Sequence, residues 1–373
     1  MKSVELFSGC GGLATGLHFA GFEPLAVVEK DKDAFKTIIS NSIGQRCKIK
    51  YHGDISNFNY SDITDVIDLV SGGPPCQPFS LGGKHKAHED SRDMFPEAAR
   101  AIRELKPKAF IFENVKGLLR GSFASYFDYI IKKLTYPSIP RENFETWEDH
   151  ALALHQFIER NPHSEEYIVK YKLLNAADYG VPQKRERVFI VGFRADLNIS
   201  WDFPSKTHSK DALSINKCNG TYWQKHNIEC DVKNPQFDIS DFPIKPWITV
   251  RDAIGDLPKP YVTEDPSNAF SGHIFKDGAR IYAGHTGSDI DEPSKTIKAG
   301  AHGVPGGENM IRYEDQSVRY FTVREAARIQ TFPDDFIFHG AWGEAMRQIG
   351  NAVPVKLAEA IGTSVYSALK KAI

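Results

Sequence analysis

From the N-terminus to about residue 195, short apolar runs alternate with segments of helical period. The strand-like runs are residues 3–8, 24–29, 66–70, 109–113 and 187–193. Helix-like stretches at 12–20, 31–41, 94–105 and 123–134 fall between them. This alternation restricts the chain to an α/β architecture, because strands joined by helical crossovers pair in parallel and bury both sheet faces. A Rossmann-like, mostly parallel sheet with helices on both faces is the expected fold. In open sheets of that type, ligands and chemistry collect at the carboxyl ends of the strands.

Two stretches interrupt the alternation. Residues 137–166 lengthen one connection and contain a predicted helix at 147–160. Residues 200–307 are rich in Gly, Pro, Asn, Asp and His and have little periodicity, so a smaller, irregular domain of short strands and loops is expected there. Helical patterning returns at 322–330, where Thr322 and Glu325 have the spacing of a capping box, and again at 341–349 and 355–370. The C-terminal helices are expected to pack back on the sheet domain. The division is therefore 1–199, 200–307 and 308–373.

The chain has 373 residues, 41% of them apolar and 25% charged, enough for a sizeable core and too apolar for global disorder. A net charge of -2 argues against a protein that coats nucleic acid non-specifically, but a locally basic groove remains open. Five cysteines, an odd number with no CxxC pair, suggest neither a zinc site nor a disulfide framework. A cytoplasmic location is expected. No signal peptide is recognised, and no apolar stretch reaches the ~18 residues of a membrane span.

Chemistry-bearing residues cluster at the predicted strand ends. Phe7-Ser8-Gly9-Cys10-Gly11-Gly12 joins the first strand to the first helix, where glycines permit a sharp turn and close approach to a ligand. Such a turn serves NAD, FAD and S-adenosylmethionine alike. Glu29 ends the second strand, where an acid can bind ribose hydroxyls, and Asp54 follows in a third loop. Together they suggest an adenosine cofactor without saying which.

After the run at 66–70 comes Gly72-Gly73-Pro74-Pro75-Cys76-Gln77-Pro78-Phe79-Ser80. Its prolines fix φ and restrict their neighbours, so Cys76 is presented rigidly at a strand end. Glu113-Asn114 ends the run at 109–113, where the acid is either a proton donor of raised pKa or a solvated cap. Arg185 and Arg187 alternate before another strand and would project together, either to bind anions or as a solvated face.

These motifs, with Arg319–Arg328 and Gln348-Ile349-Gly350-Asn351-Ala352-Val353-Pro354, closely resemble those of bacterial-type DNA (cytosine-5) methyltransferases, in the family's order. The resemblance implies that Cys76 is the nucleophile that adds to C6 of cytosine. It implies that Glu113 binds the N3/N4 edge of the base, that Arg187 meets O2, and that Arg185 supports the site. S-adenosylmethionine would lie against Phe7, Gly9, Gly11, Glu29, Asp54, Ile55, Pro75, Asn351 and Val353. Double-stranded DNA would meet Ser80, Lys84 and Arg92, with the target base flipped out of the stack. Residues 1–199 would then be the catalytic domain and 200–307 the target-recognition domain, with Arg251, Asn268, Lys276, Arg280 and His285 among its candidate base readers.

The first motif begins at once, which favours a self-contained modification enzyme paired with a restriction endonuclease over a eukaryotic multidomain methyltransferase, and a monomer is expected. A tRNA cytosine-5 methyltransferase is the close alternative. A non-catalytic DNA-binding regulator should have lost Cys76 or Glu113, and a nicotinamide dehydrogenase would leave both unexplained.

Overall fold

The computed structural model describes residues 1–75, 93–141, 146–229, 244–265, 267–299 and 309–372. Cys76, Ser80, Lys84 and Arg92 lie outside the described residues. The chain divides into two compact units. The first comprises Met1–Leu174, Glu186–Phe203 and Ile361–Ile373, and the second Asn175–Arg185 and Pro204–Ala360.

The first unit is built on a seven-stranded sheet. Its strands are β1 (Lys2–Leu6), β2 (Glu23–Glu29), β3 (Ile49–His52), β4 (Leu69–Gly72), β5 (Ala109–Val115), β6 (Tyr167–Asn175) and β7 (Glu186–Arg194), in the order β3-β2-β1-β4-β5-β7-β6. The pairs β1–β2, β2–β3, β1–β4 and β4–β5 are parallel, and β7 runs antiparallel to β5. The expected mostly parallel, Rossmann-like sheet is present. Strand order reverses between β1 and β4, so the carboxyl ends of these two strands flank the switch point where such sheets hold ligands.

Sequence patterning missed β3 and β6. Both lie at the sheet's edges, where only one side of the strand is paired. Their sequences, IKYH and YIVKYKLLN, mix exposed lysines with apolar residues, as edge strands commonly do. The central strands read clearly because both their faces are buried. Val70 and Phe110 join one apolar cluster, while their neighbours Leu69 and Ile111 are equally buried on the other face.

Helices α1 (Gly12–Phe19), α2 (Lys32–Ser40), α3 (Ser42–Arg46), α4 (Phe95–Leu105) and α5 (Ala124–Thr135) fill the connections. In the 137–166 stretch, α6 (Trp147–Arg160) forms where its pattern predicts it, started by a Thr146–Asp149 capping box. It packs on α5: the Trp147 ring lies edge-on to Tyr126 at 5.1 Å, and His150 Nδ1 is 3.0 Å from the Tyr129 hydroxyl.

The second unit holds five helices among the described residues: α7 (Lys210–Cys218), α8 (Thr221–Lys225), α9 (Val250–Ile254), α10 (Val323–Ile329) and α11 (Trp342–Asn351). Its sheets are small. Strands β8 (His208–Ser209) and β9 (Lys245–Pro246) pair, and β10 (Ser288–Asp289), β11 (Met310–Arg312) and β12 (Val318–Tyr320) form a three-stranded sheet. The expectation of strands and loops alone over 200–307 is corrected by α7, α8 and α9. Helices of five to nine residues are too short to show a clear period. Caps define two of them: Ser209 accepts from Ala212 N at 3.1 Å, and Thr249–Asp252 forms a capping box.

Helix α12 (Val355–Ala372) contributes its last residues to the first unit. There Tyr366 lies edge-on to Phe22 at 5.3 Å, and a Cβ at Gly362 would fall 2.8 Å from Leu17 Cδ2. A glycine at that position lets α12 approach α1 closely.

Candidate active site

Three consecutive strand ends form one rim of the first unit. The register pairs Leu6 with Val28 and Glu29 with His52, so the loops after β1, β2 and β3 emerge at the same level. The first loop is tightly wound: Phe7, Gly9 and Gly11 have φ of 52°, 53° and 93°. A left-handed phenylalanine is an uncommon, costly conformation of the kind that gathers at functional sites. Gly11 is fixed sterically, since a Cβ there would sit 2.9 Å from Ile38 Cγ1. Gly9 faces open space, with nothing within 4 Å of a built Cβ. Helix α1 starts at this turn with no side-chain cap on its first N–H groups.

Glu29 holds the turn. Its Oε2 accepts from Gly9 N at 2.6 Å and its Oε1 from Asp31 N at 2.7 Å. Burial raises its pKa from the ordinary carboxylate value, and the backbone donors only partly offset that effect. Each carboxylate oxygen carries a second acceptor position, so these bonds leave capacity for ligand hydroxyls. Asp54 accepts from Lys30 Nζ at 2.7 Å and from Ser56 N at 3.1 Å. Lys30 leads in holding the Asp54 pKa down to about 2. Ile55, next in line, is buried.

The second part of the rim is built by β4, β5 and β7. Glu113 and Arg187 belong to neighbouring antiparallel strands, and Arg187 Nε lies 2.8 Å from Glu113 Oε1. Burial lowers the Arg187 pKa, which Glu113 opposes. A Cβ on Gly73 would sit 3.4 Å from Glu113 Oε2, so the chain leaving β4 passes directly over the carboxylate. Asn114 Nδ2 donates to Pro74 O at 3.0 Å, and Met94 N donates to Pro75 O at 3.2 Å. Proline conformation and these two bonds therefore fix the chain as far as Pro75, the residue before Cys76. A buried carboxylate–guanidinium pair beside that point offers an acceptor and a fork of donors to a planar polar ligand.

The expected pairing of Arg185 with Arg187 on one strand face is corrected. Strand β7 begins at Glu186, and Arg185 belongs to the second unit. Arg185 is 1% exposed and donates to Ile297 O at 3.2 Å and Gly350 O at 2.7 Å. It is a backbone brace that no ligand in solvent can reach. Asn351, exposed at the end of α11, and the buried Val353 also lie in the second unit.

Two supporting residues escaped sequence reading. Glu5 points into the interior from β1, accepts from the Ser71 hydroxyl of β4, and is hydrogen-bonded to the Ala14 backbone in α1. Burial pushes its pKa up to about 8. Its only sequence signal is an acid among the apolar residues of a strand. Arg100 of α4 donates to Ile55 O at 2.6 Å and Phe58 O at 3.2 Å, bracing the turn after Asp54. A cation in an amphipathic helix gives no hint of this.

Among the candidate base readers, Arg251 is engaged within the protein. It makes a two-pronged ion pair with Asp291, at 2.7 and 2.9 Å, and a 2.6 Å contact with Glu314. Lys276 and Arg280 are exposed. Asn268 donates to Thr263 O at 3.0 Å, and His285 packs its ring on Tyr282 at 4.3 Å.

The sequence matches the family model for C-5 cytosine-specific DNA methylase over residues 1–136 and 146–367. Type II methyltransferase M.PspPI of Psychrobacter sp. (strain TA137) is 35% identical over 385 residues, covering 99% of this chain and 80% of that protein. Type II methyltransferase M.MthTI of Methanothermobacter thermautotrophicus is 32% identical, covering 99% and 98%. Among solved structures, a DNA modification methyltransferase encoded within an Escherichia coli prophage superposes with a TM-score of 0.63 at 22% identity over 99% of both chains. S. pombe Dnmt2 methyltransferase gives 0.56 at 19% identity, again over 99% of each. At these identities the structural matches speak for the fold.

Proposed function

The chain belongs to the C-5 cytosine-specific DNA methylase family and is a DNA cytosine-5 methyltransferase, and from that premise we propose how its residues divide the work. The observation that carries the proposal is the Glu113–Arg187 pair beside the fixed Pro74-Pro75 backbone. Cys76 follows directly as nucleophile. Thiolate is the reactive form of cysteine, and a rigidly presented thiolate has little orientational freedom to lose.

In the proposed reaction, duplex DNA surrenders its target cytosine to the rim, because C6 and C5 are out of reach inside the stack. Glu113 accepts from the N4 amino group and shares a proton with N3, while Arg187 donates to O2. The Cys76 sulfur forms a bond to C6, and the electron pair of the C5–C6 bond becomes available at C5. S-adenosylmethionine, when bound, would supply the electrophilic methyl group that C5 takes, the electron pair of the broken S–CH3 bond staying with the sulfur of the departing S-adenosylhomocysteine. Loss of the C5 proton to solvent water then expels Cys76 and restores the aromatic ring. Glu113 strengthens its hold as charge develops at N3, so it favours the transition state over the ground state.

The residues at the rim fit the adenosyl ligand. The open space at Gly9, the spare acceptor positions of Glu29 and the apolar Ile55 suit a backbone-close nucleoside with ribose hydroxyls. Phe7, Gly11, Asp54, Pro75, Asn351 and Val353 complete the proposed set. Arg185 acts as a positioning residue through Ile297 and Gly350. Ser80, Lys84 and Arg92 are proposed DNA contacts, and residues 200–307 the target-recognition region. Pairing with a restriction endonuclease is proposed from the type II naming of the relatives.

Cys76→Ala is expected to abolish methyl transfer to duplex DNA while retaining S-adenosylhomocysteine binding. Turnover by a clean Cys76→Ala preparation would overturn the mechanism. Bisulfite sequencing of plasmid from cells expressing the chain reads the target sequence at the same time. Transfer to tRNA in preference to duplex DNA would reassign the substrate.

A further inference from the structure

Large apolar side chains in solvent are unevenly spread along the chain. Among the described residues ten stand well exposed, and four of these, Val262, Phe275, Ile281 and Tyr282, fall within one short stretch of the second unit, each at least 40% exposed. Single exposed apolar residues need no explanation, whereas grouped ones mark interaction surfaces. Phe275 N donates to Tyr261 O at 2.8 Å, which brings the chain at Phe275 alongside the chain at Val262.

The segment 275–286 is pinned at both ends. Before it, Arg324 donates from Nε to Ser271 O and from its backbone N to Gly272 O, both at 3.1 Å. After it, Ser288 pairs with Ile311, and Lys295 Nζ donates to the Thr286 hydroxyl at 2.8 Å. Between these anchors, Tyr282 and His285 exchange backbone hydrogen bonds at 3.3 and 2.8 Å and bring their rings to 4.3 Å. Gly284 supplies the left-handed φ of 79° that closes the two-residue turn. The exposed tip is therefore a preformed hairpin, and binding through it costs little ordering entropy.

Arg280 leads directly into this hairpin. The second unit has eight arginines. Five pair with carboxylates, as Arg328 does with Asp334, and Arg185 and Arg324 hold backbone carbonyls. Arg280 is exposed and does neither among the described residues, so its fork of donors is open to a ligand. Lys276 has no carboxylate partner among the described residues either, and lies over the Trp342 ring at 5.9 Å. The one acid of the segment, Asp277, accepts from Gly278 N at 2.7 Å.

We propose that the 280–285 hairpin enters the major groove of the DNA substrate, with Arg280 donating to O6 and N7 of a guanine, Ile281 and Tyr282 against the adjoining base edges, and Lys276 on a phosphate. The inference rests on the reading of residues 200–307 as the target-recognition region. A two-stranded ribbon fits the major groove, and a guanidinium matches the paired acceptors of guanine there.

The test uses the full chain with saturating S-adenosylhomocysteine, the duplex whose sequence bisulfite sequencing identifies, and duplexes altered at one base pair each. Arg280→Ala should weaken binding to the identified duplex about tenfold or more and erase discrimination at one G·C pair alone. Lys276→Ala should weaken binding to every duplex alike and lower the salt slope by about one. Both side chains are exposed, so melting temperature and S-adenosylhomocysteine affinity should match the parent. A folded Arg280→Ala variant with undiminished discrimination at every position overturns the proposal. So does a dimer of the parent that Tyr282→Ala dissociates with DNA affinity unchanged, because the tip would then serve a second copy of the chain. Hydrogen exchange with and without the duplex separates this inference from the reading beneath it. Protection within 200–307 that spares 275–286 removes the hairpin alone, whereas no protection anywhere in 200–307 removes the target-recognition reading as well.

Discussion

The two units hold their backbones together by different means. In the first, backbone pairs with backbone across the parallel and antiparallel ladders of one seven-stranded sheet, and the side chains packed on it are largely apolar. In the second, the described strands are two or three residues long, and buried side chains take over the pairing. Arg324 donates to the carbonyls of Ser271, Pro333 and Phe336 at 3.1, 3.0 and 2.8 Å. Gln330 Nε2 reaches Ile349 O at 2.6 Å and Ala352 O at 3.1 Å, and Asn309 bonds both backbone groups of Lys298. A buried polar residue therefore means something different in each unit. On the strand ends of the first it is available for chemistry, whereas in the second it substitutes for a sheet.

The comparison breaks most visibly at Glu113. Glu113→Gln keeps the shape and one acceptor but loses the charge beside Arg187. Removing a positioned acid–base group costs about 10²–10⁴ in rate. The expected result is a fall of that size in kcat/KM with S-adenosylhomocysteine affinity and melting temperature retained. A variant that melts early with proportionate loss of cofactor binding would make Glu113 a structural residue like those of the second unit.

Arg324→Leu is the converse test. It strips the carbonyls of Ser271, Pro333 and Phe336 of their donor, the last of them in a buried residue, and an unsatisfied buried group costs about 1–3 kcal/mol. A loss of about 1–3 kcal/mol is therefore expected. Hydrogen exchange should rise in α10 and around residues 271–273 while β1, β4 and β5 stay protected. Uniform deprotection of both units would show that the side-chain scaffold is not local to the second.

Glycine substitutions sharpen the comparison within the first unit. Gly11→Ala must strain φ at 93° and press on Ile38, so about 2–3 kcal/mol of stability should go. Gly9→Ala has strained φ but open space. It should melt closer to the parent yet lose more S-adenosylhomocysteine affinity per degree of melting temperature. Equal ratios in the two variants would remove Gly9 from the ligand surface.

How far the fold could be read follows the same division. Central strands announce themselves because two buried faces demand an apolar run, and Glu29 and Glu113 are legible as the first acids after such runs. Edge strands β3 and β6, with one open side, carry half of that signal. The second unit was hardest to read because Arg324, Gln330 and Asn309 look like surface residues until their carbonyl partners are known. Arg185 shows the same failure in a motif: its position was legible, but its direction depended on where β7 begins.

Glu5 crosses the division, a polar residue acting structurally inside the sheet, and it gives the smallest effect. Its folded pKa of about 8 lies above the ordinary carboxylate value of 4.5. Between those values the native state binds the extra proton, so stability falls as pH rises through the window. The contribution is complete below about pH 4.5 and is lost as pH passes the folded value. Glu5→Gln keeps an amide that can hydrogen-bond Ser71 but cannot ionise. The parent should lose up to roughly 2 kcal/mol relative to this variant between pH 6 and 7.5, at about 1.4 kcal/mol per pKa unit. Denaturant melts across that range measure the difference. Parallel pH curves would mean that the Glu5 site admits water, and that β1 is less sealed against solvent than its burial implies.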